Sequence, residues 1–533
     1  MSYTSFSFLL FLAGSIFLYF VFPKKYRWTV LLCASVFFYL RATVKGFLYV
    51  LVTLLSTYGF GIWLTDFNKT MKQKLKQISD RSEKKKRKEV LQKKKRRILL
   101  AYLLLNFGIL AFLKYTNFFL DTINSLAGHE AVPLLDLLIP LGISFYTFQA
   151  TGYVIDIYNS QLEAERNLAK LGLFVTFFPQ IIQGPISFYD QLAHQLYEPH
   201  DYDFVRLKKG AELMLWGYFK KLVIADRIVG LLNVILEKYA EYNGTIILTA
   251  LLVYTVQLYA DFSAGIDISR GICEIIGIDM AENFRRPYFA TTINDFWRRW
   301  HITLGAWMKK YIFYPFAVTK PVMNIGKKIK NSRFGQTDYG KHVAKVFPVS
   351  LSSLVVFMVV GIWHGANWKY VGFGLWNGLI IMFSELLKPL FEKMTAALHI
   401  RTESAGFRLF QIIRTMFIVI IGYVFDIALG MHSALDMIRK VFFEQSFSAE
   451  TWSTLEAISP IDRWDVLLAC AGILIMFIVS LIQERTGKRV RDLIDDKHWT
   501  LEWAVTFAAV ILIICFGCYG PGFDASAFVY MQF

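Results

Sequence analysis

Apolar runs long enough to cross ~30 Å of hydrocarbon recur from one end of this chain to the other. They lie near residues 6–22, 28–40, 47–64, 98–112, 134–157, 171–182, 246–259, 346–362, 371–386, 407–428, 466–482 and 501–518. Of the 533 residues, 55% are hydrophobic and 17% aromatic, and mean hydropathy is positive. That exceeds the usual apolar fraction of a soluble domain. Only helices and closed barrels satisfy their own backbone in lipid. The runs have helical length, so the expectation is an all-α polytopic membrane protein. Residues 171–182 and 297–315 are short or broken and read as re-entrant or interfacial. Irregular backbone at that depth must be buried in protein or line a cavity.

Charge supplies orientation. The densest basic run, "RSEKKKRKEVLQKKKRR" at 81–97, falls within a stretch at 66–97 that reads as a solvated cytoplasmic loop beside anionic membrane lipid. It has no aromatic interleaving, which argues against a nucleic-acid partner. "RTGKRVRDLIDDK" at 485–497 also reads as cytoplasmic, and the last run then carries residues 524–533 to the outer side. The first run lacks a basic leader and a small-residue cleavage site, so it is expected to stay as a helix. "FVRLKKGAELMLWGYFKKLVIADRI" at 204–228 has apolar residues at helical spacing with paired lysines, the pattern of an interfacial amphipathic helix. Cys33, Cys273, Cys470, Cys515 and Cys518 form no disulfide framework. The C-x-x-C at 515–518 only shares a helix face, and no metal site is expected.

Two places put chemistry inside this apolar chain. "VVGIWHGANW" at 359–368 sets His364 in a segment apolar enough to span a membrane, where an ionisable group is costly and tends to be functional. The plain alternative is a buried histidine bonded to a neighbouring helix. The second place is the block at 261–315, where Asp261, Asp267, Arg270, Asp295, Arg298, Arg299 and His301 crowd among Trp297, Trp300 and Trp307. Asp295 pairs at helical spacing with Arg298 or Arg299. That pairing is expected to hold His301 rigidly; alternatively the block is a charge cluster that anchors helices.

Six ordered motifs carry a resemblance: the N-terminal "FLLFLAGSIFLYFVFPKKYRWTVLLCASVFFY", "PLGISFYTFQATGYVIDIY", "FFPQIIQGPI", "DFSAGIDISRGI", "ENFRRPYFATTINDFWRRWHITLGAW" and "GIWHGANWKYVGFGLWNG". Together they resemble the membrane-bound O-acyltransferase (MBOAT) superfamily, in particular its bacterial members in alginate, peptidoglycan and teichoic-acid modification. The resemblance implies one MBOAT-type membrane domain over 1–533: a ring of transmembrane helices with re-entrant and interfacial helices around a central tunnel, and a catalytic core at 261–378. It implies an O-acyltransferase, with His364 as general base and His301 orienting or polarising the acyl group. Asp295, Arg298, Arg299, Trp300, Trp363 and Gly365 would support them. Two positions depart from the family pattern. Lys309-Lys310 stands where relatives often have Arg-Asp, and Asn377 where they often have histidine.

The resemblance further implies acetyl-CoA, or an acyl carrier protein, as donor substrate, with no permanently bound cofactor. The acceptor would be a polysaccharide or cell-envelope glycan, reached through an extracytoplasmic serine-esterase-like acyltransferase partner. The location would be the bacterial cytoplasmic membrane. The tail motif Phe-x-Tyr-x-x-Phe, from Phe528 through Tyr530 to Phe533, reads as an aromatic interface anchor or as an acyl-carrying tyrosine. D-alanyl transfer from a carrier protein, and a non-enzymatic transporter or flippase, remain open at this point.

Overall fold

A computed structural model describes residues 2–181, 183–495, 499–520 and 528. The chain is 80% helical, and among the described residues there is no strand. Seven described helices are long and apolar enough to cross a membrane, or eight if a pair bent by 57° between Trp368–Leu386 and Lys388–Ala397 counts as one span. The protein is therefore a multi-pass, all-α membrane protein. The chain divides into two compact units.

The first unit comprises residues 1–214 and 268–281. Its longest feature is a helical hairpin, α1 (Val44–Lys76) and α2 (Arg81–Ala127). This corrects the reading of 66–97 as a loop. At 1.5 Å per residue, the 47-residue α2 extends ~70 Å, more than twice the hydrocarbon thickness. The basic run is thus the polar N-terminal extension of the apolar α2. Lysine and arginine are good helix formers, so a run of them extends a helix wherever water can solvate the charges. The hairpin turns at Asp80, whose carboxylate accepts from the backbone N–H of Ser82 (3.2 Å) and Glu83 (2.8 Å). Gly128, at φ 73°, ends α2 in the left-handed conformation. Of the 171–182 run, residues 171–181 fall in two short, largely buried helices, Leu168–Thr176 and Phe178–Ile181.

The second unit comprises residues 215–267 and 282–533. It contains most of α3 (Gly244–Ile275), then the short α4 (Ile293–Arg299) and α5 (Ile302–Met308). A π-helical turn (Lys309–Phe313) follows α5. The long helices are α6 (Asp338–His364), α7 (Trp368–Leu386), α8 (Ala405–Ile427), α9 (Arg463–Thr486) and α10 (Trp499–Phe516). The 297–315 stretch, broken in its apolar pattern, is a chain of short helices. Small residues bring α6 and α7 close: a methyl group on Gly361 would lie 2.2 Å from the Tyr370 carbonyl oxygen, and one on Gly374 2.7 Å from that of Phe357. Close backbone approach of this kind stands in for the missing hydrophobic drive between helices in lipid.

The 204–228 segment departs from an interfacial helix. A helix at Phe204–Tyr218 passes into a π-helical turn, Phe219–Ala225, and continues as Asp226–Glu237. Lys220 and Lys221 are buried instead of lying on a wetted face. The Lys220 ammonium donates to Ser263 Oγ at 2.6 Å and Asp267 Oδ2 at 2.7 Å. That of Lys221 lies 2.6 Å from Asp261 Oδ1, 2.8 Å from Asp226 Oδ1 and 4.5 Å from the centre of the buried Phe528 ring. The wider π turn lets two consecutive lysines face inward. Their apolar neighbours Phe219, Leu222 and Ile224 pack with Ala469, Met476 and Ile513. Replacing Lys221 with methionine leaves two buried carboxylates without their cation and should cost about 3–5 kcal/mol. A large drop in the detergent melting temperature of Lys221→Met, partly restored by adding Asp261→Asn, is the expected result.

Candidate active site

His364 is the last residue of α6. Its side chain is 13% exposed, and Nδ1 lies 3.8 Å from Asp426 Oδ1, near the end of α8. The other carboxylate oxygen of Asp426 accepts from the Tyr254 hydroxyl of α3 at 2.5 Å. The Lys369 ammonium donates to the backbone oxygens of Asp426 and Ala428, both at 2.7 Å, and pins the end of α8 to the start of α7. Gly365 breaks the helix in extended backbone. A methyl group there would meet the Tyr370 ring at 2.2 Å, so the turn requires glycine for space. The His364 ring packs at 4.8 Å on Phe373 and at 5.4 Å, edge-on, against Trp363.

His301 sits between α4 and α5 with φ 44°, left-handed backbone that costs a non-glycine residue about 1–3 kcal/mol. An antiparallel run of chain holds it there. The Arg285 N–H donates to the Arg299 oxygen at 2.9 Å, and the Ile302 N–H to the Asn283 oxygen at 3.0 Å. Asn283, itself buried, places Oδ1 3.1 Å from His301 Nδ1. The imidazole meets Phe262 of α3 edge-on at 5.0 Å and Trp363 at 6.1 Å. Trp363 therefore lies close to both histidines. His301 lies outside the seven spanning helices, and burial, followed by the nearby His364, pushes its pKa down to about 3. It is neutral throughout the physiological range.

The charged residues beside His301 act at a distance from it. Asp295 Oδ1 accepts from Arg299 Nε at 3.0 Å, as its spacing predicts, but the guanidinium then turns to Glu484 of α9, at 3.0 and 3.1 Å. Glu484 also accepts from Arg286 Nε at 2.7 Å and lies 3.6 Å from Arg408. Arg298 is exposed and makes no ion pair among the described residues. The side chain that bonds the His301 ring is Asn283, while Arg299 ties α4 to α9. Trp300 stacks on Phe296 at 5.6 Å and sits 6.2 Å from Tyr423, closing the apolar wall behind His301. Asn377 accepts from Trp297 Nε1 at 3.2 Å, and Lys310 stands over the Tyr311 ring at 5.2 Å. Tyr530 and Phe533 lie outside the described residues.

Comparison with known proteins agrees with the sequence motifs. Residues 162–324 match the membrane-bound O-acyltransferase family, MBOAT. The chain is 31% identical over 337 residues to the probable alginate O-acetylase AlgI of Pseudomonas syringae pv. tomato, covering 63% of this chain and 58% of that protein. It is 29% identical over 387 residues to the peptidoglycan O-acetyltransferase of Helicobacter pylori, covering 68% and 64%. The teichoic acid D-alanyltransferase of Streptococcus thermophilus is 26% identical over 310 residues, covering 54% and 69%. The chain thus spans less than two thirds of the length of the first two relatives.

In this MBOAT-like chain the family match contains His301 and Asn283 but ends before His364. Asp426, Tyr254, Asn283 and Glu484 escape the sequence reading. Asp426 carries a signal, as a lone carboxylate in the apolar run "IVIIGYVFDIALG". Glu484 and Asn283 carry none, since both stand where a solvated polar residue is equally at home. Glu484→Gln weakens charge-assisted hydrogen bonds to two arginines and should cost about 1.5–3 kcal/mol. Arg298→Gln should stay within about 0.5 kcal/mol. Melting curves of the two purified variants in one detergent test the contrast.

Proposed function

We propose that this protein transfers an acetyl group from a cytosolic thioester across the membrane for O-acetylation of a cell-envelope or secreted polysaccharide. The observation that carries the reading is the pair of imidazoles packed near one tryptophan, Trp363, with the Asp426 carboxylate facing His364. Acyl transfer needs a base for the hydroxyl proton, and histidine suits that task near neutral pH. The acceptor oxygen bonds to the thioester carbonyl carbon while His364 takes its proton. The tetrahedral intermediate then collapses with cleavage of the C–S bond. The imidazolium returns the proton to the thiolate, leaving an ester and a free thiol. Asp426 faces the positive charge that His364 carries between these steps. His301, close to the same tryptophan, orients the reacting groups.

Acetyl is preferred over D-alanyl because the relatives named as acetylating enzymes match at 31% and 29%, against 26% for the D-alanyltransferase. The donor is then acetyl-CoA, drawn to a chain with formal net charge +17. The setting is the bacterial cytoplasmic membrane, and a serine-esterase-like acyltransferase outside the membrane completes delivery to the glycan. Tyr530 is the proposed relay: its phenol accepts the acetyl group and passes it on, because a phenolate of pKa ~10 leaves more readily than an alkoxide.

His364→Ala and His364→Gln should abolish label transfer from acetyl-CoA in membranes that contain normal amounts of the protein. Near-normal transfer by a well-inserted His364→Ala sinks the base assignment. Transfer that requires an added carrier protein moves the reading to D-alanylation. Tyr530→Phe keeps the aromatic ring and removes the nucleophile, so glycan acetylation should stop while the protein stays inserted; full acetylation by this variant rules the relay out.

A further inference from the structure

The hydrogen bonds of Asn283 determine which nitrogen of His301 carries the proton. A backbone N–H can only donate, and that of Thr303 points at Asn283 Oδ1 from 3.0 Å. The Thr303 hydroxyl reaches the same oxygen at 2.9 Å. Turning the amide over would set its NH₂ against the Thr303 N–H, so the carbonyl end is fixed in place. His301 Nδ1, 3.1 Å from that oxygen, must then be the donor. We infer that Asn283 is a positioning residue that holds His301 in the tautomer with its proton on Nδ1 and its lone pair on Nε2.

The consequence bears on the reaction, and it rests on the reading of His301 as a residue of the transfer site. A neutral imidazole with its one proton engaged by Asn283 cannot donate a hydrogen bond from Nε2. It can receive one from a hydroxyl or a thiol. His301 then serves the site as an acceptor that orients an O–H or S–H, in place of a donor that polarises the acyl carbonyl. The surroundings agree with a neutral ring. Phe262 and Trp363 are uncharged, Thr303 is neutral, and the titratable neighbour His364 opposes a second positive charge. Asn283 is 1% exposed, and its Nδ2 has no hydrogen-bond partner among the described residues, so the amide's remaining donors are not consumed by the fold.

Two variants of the full chain in native membranes test this, with label transfer from acetyl-CoA as readout and His301→Ala measured in parallel. Asn283→Leu keeps the size of the side chain and removes the acceptor, freeing the tautomer. Transfer should fall on the order of 10²-fold, with KM for acetyl-CoA changed by less than about twofold, the pattern of an interaction lost in the transition state. Asn283→Asp keeps an acceptor oxygen for Nδ1–H and adds a negative charge that favours the imidazolium. His301 then protonates at higher pH. Transfer should be substantial at pH 8 and fall as pH drops toward 6, over a range where the wild-type rate does not follow His301. If Asn283→Leu fails to insert, Asn283→Asp decides. A wild-type rate in Asn283→Leu, or a pH profile of Asn283→Asp that overlays the wild type, overturns the inference while an inactive His301→Ala leaves the site reading standing. An active His301→Ala instead removes His301 from the site and the inference with it.

Discussion

Every polar side chain placed among these apolar helices must find its partner within the protein, because lipid offers none. Asp426 shows what that constraint builds. Its carboxylate joins three long helices at one point, receiving the Tyr254 hydroxyl from α3 and facing His364 at the end of α6 while riding on α8. Lys369 adds α7 through the backbone of the same turn. Remove the carboxylate and His364 loses the acidic group that its Nδ1 faces. The same logic sets Lys220 and Lys221 against Asp267, Asp261 and Asp226, and gathers Arg286 and Arg299 on Glu484.

The long spans were legible because hydropathy over some twenty residues directly measures transfer into hydrocarbon. Runs at 407–428, 466–482 and 501–518 reappear almost unchanged as α8, α9 and α10. Charged segments were not legible in the same way. A lysine-rich sequence solvates equally well as a loop or as a helix, so residues 66–97, the polar ends of α1 and α2, read as a loop. Lys220 and Lys221 look like a polar face, and only the aspartates of α3, some forty residues away, reveal them as buried. Local pattern cannot contain a partner that distant.

The site divides along the same line. His301 and His364 stood out because an imidazole in an apolar setting needs a reason to be there. What orients them did not stand out. Asp295 and Arg299 sit next to His301 in sequence and do pair, but the chain turns sharply at the histidine. That turn sends the arginine toward α9 and the imidazole toward Asn283. Sequence neighbours on a helix diverge by ~100° per residue, so adjacency at a helix end says little about contact.

A single rod relates the two histidines. Tyr254 of α3 reaches His364 through Asp426, and Phe262 of the same helix rests on His301. Eight residues separate them, about 12 Å along the axis. Beside and just beyond Phe262 on the same helix, Asp261 and Asp267 pair with the two buried lysines and Ser263 accepts from Lys220. A shift of α3 along its axis would therefore break ion pairs whose loss is costly in low dielectric. The buried lysines need not touch the site to matter to it: by fixing the register of α3, they fix where both imidazoles stand.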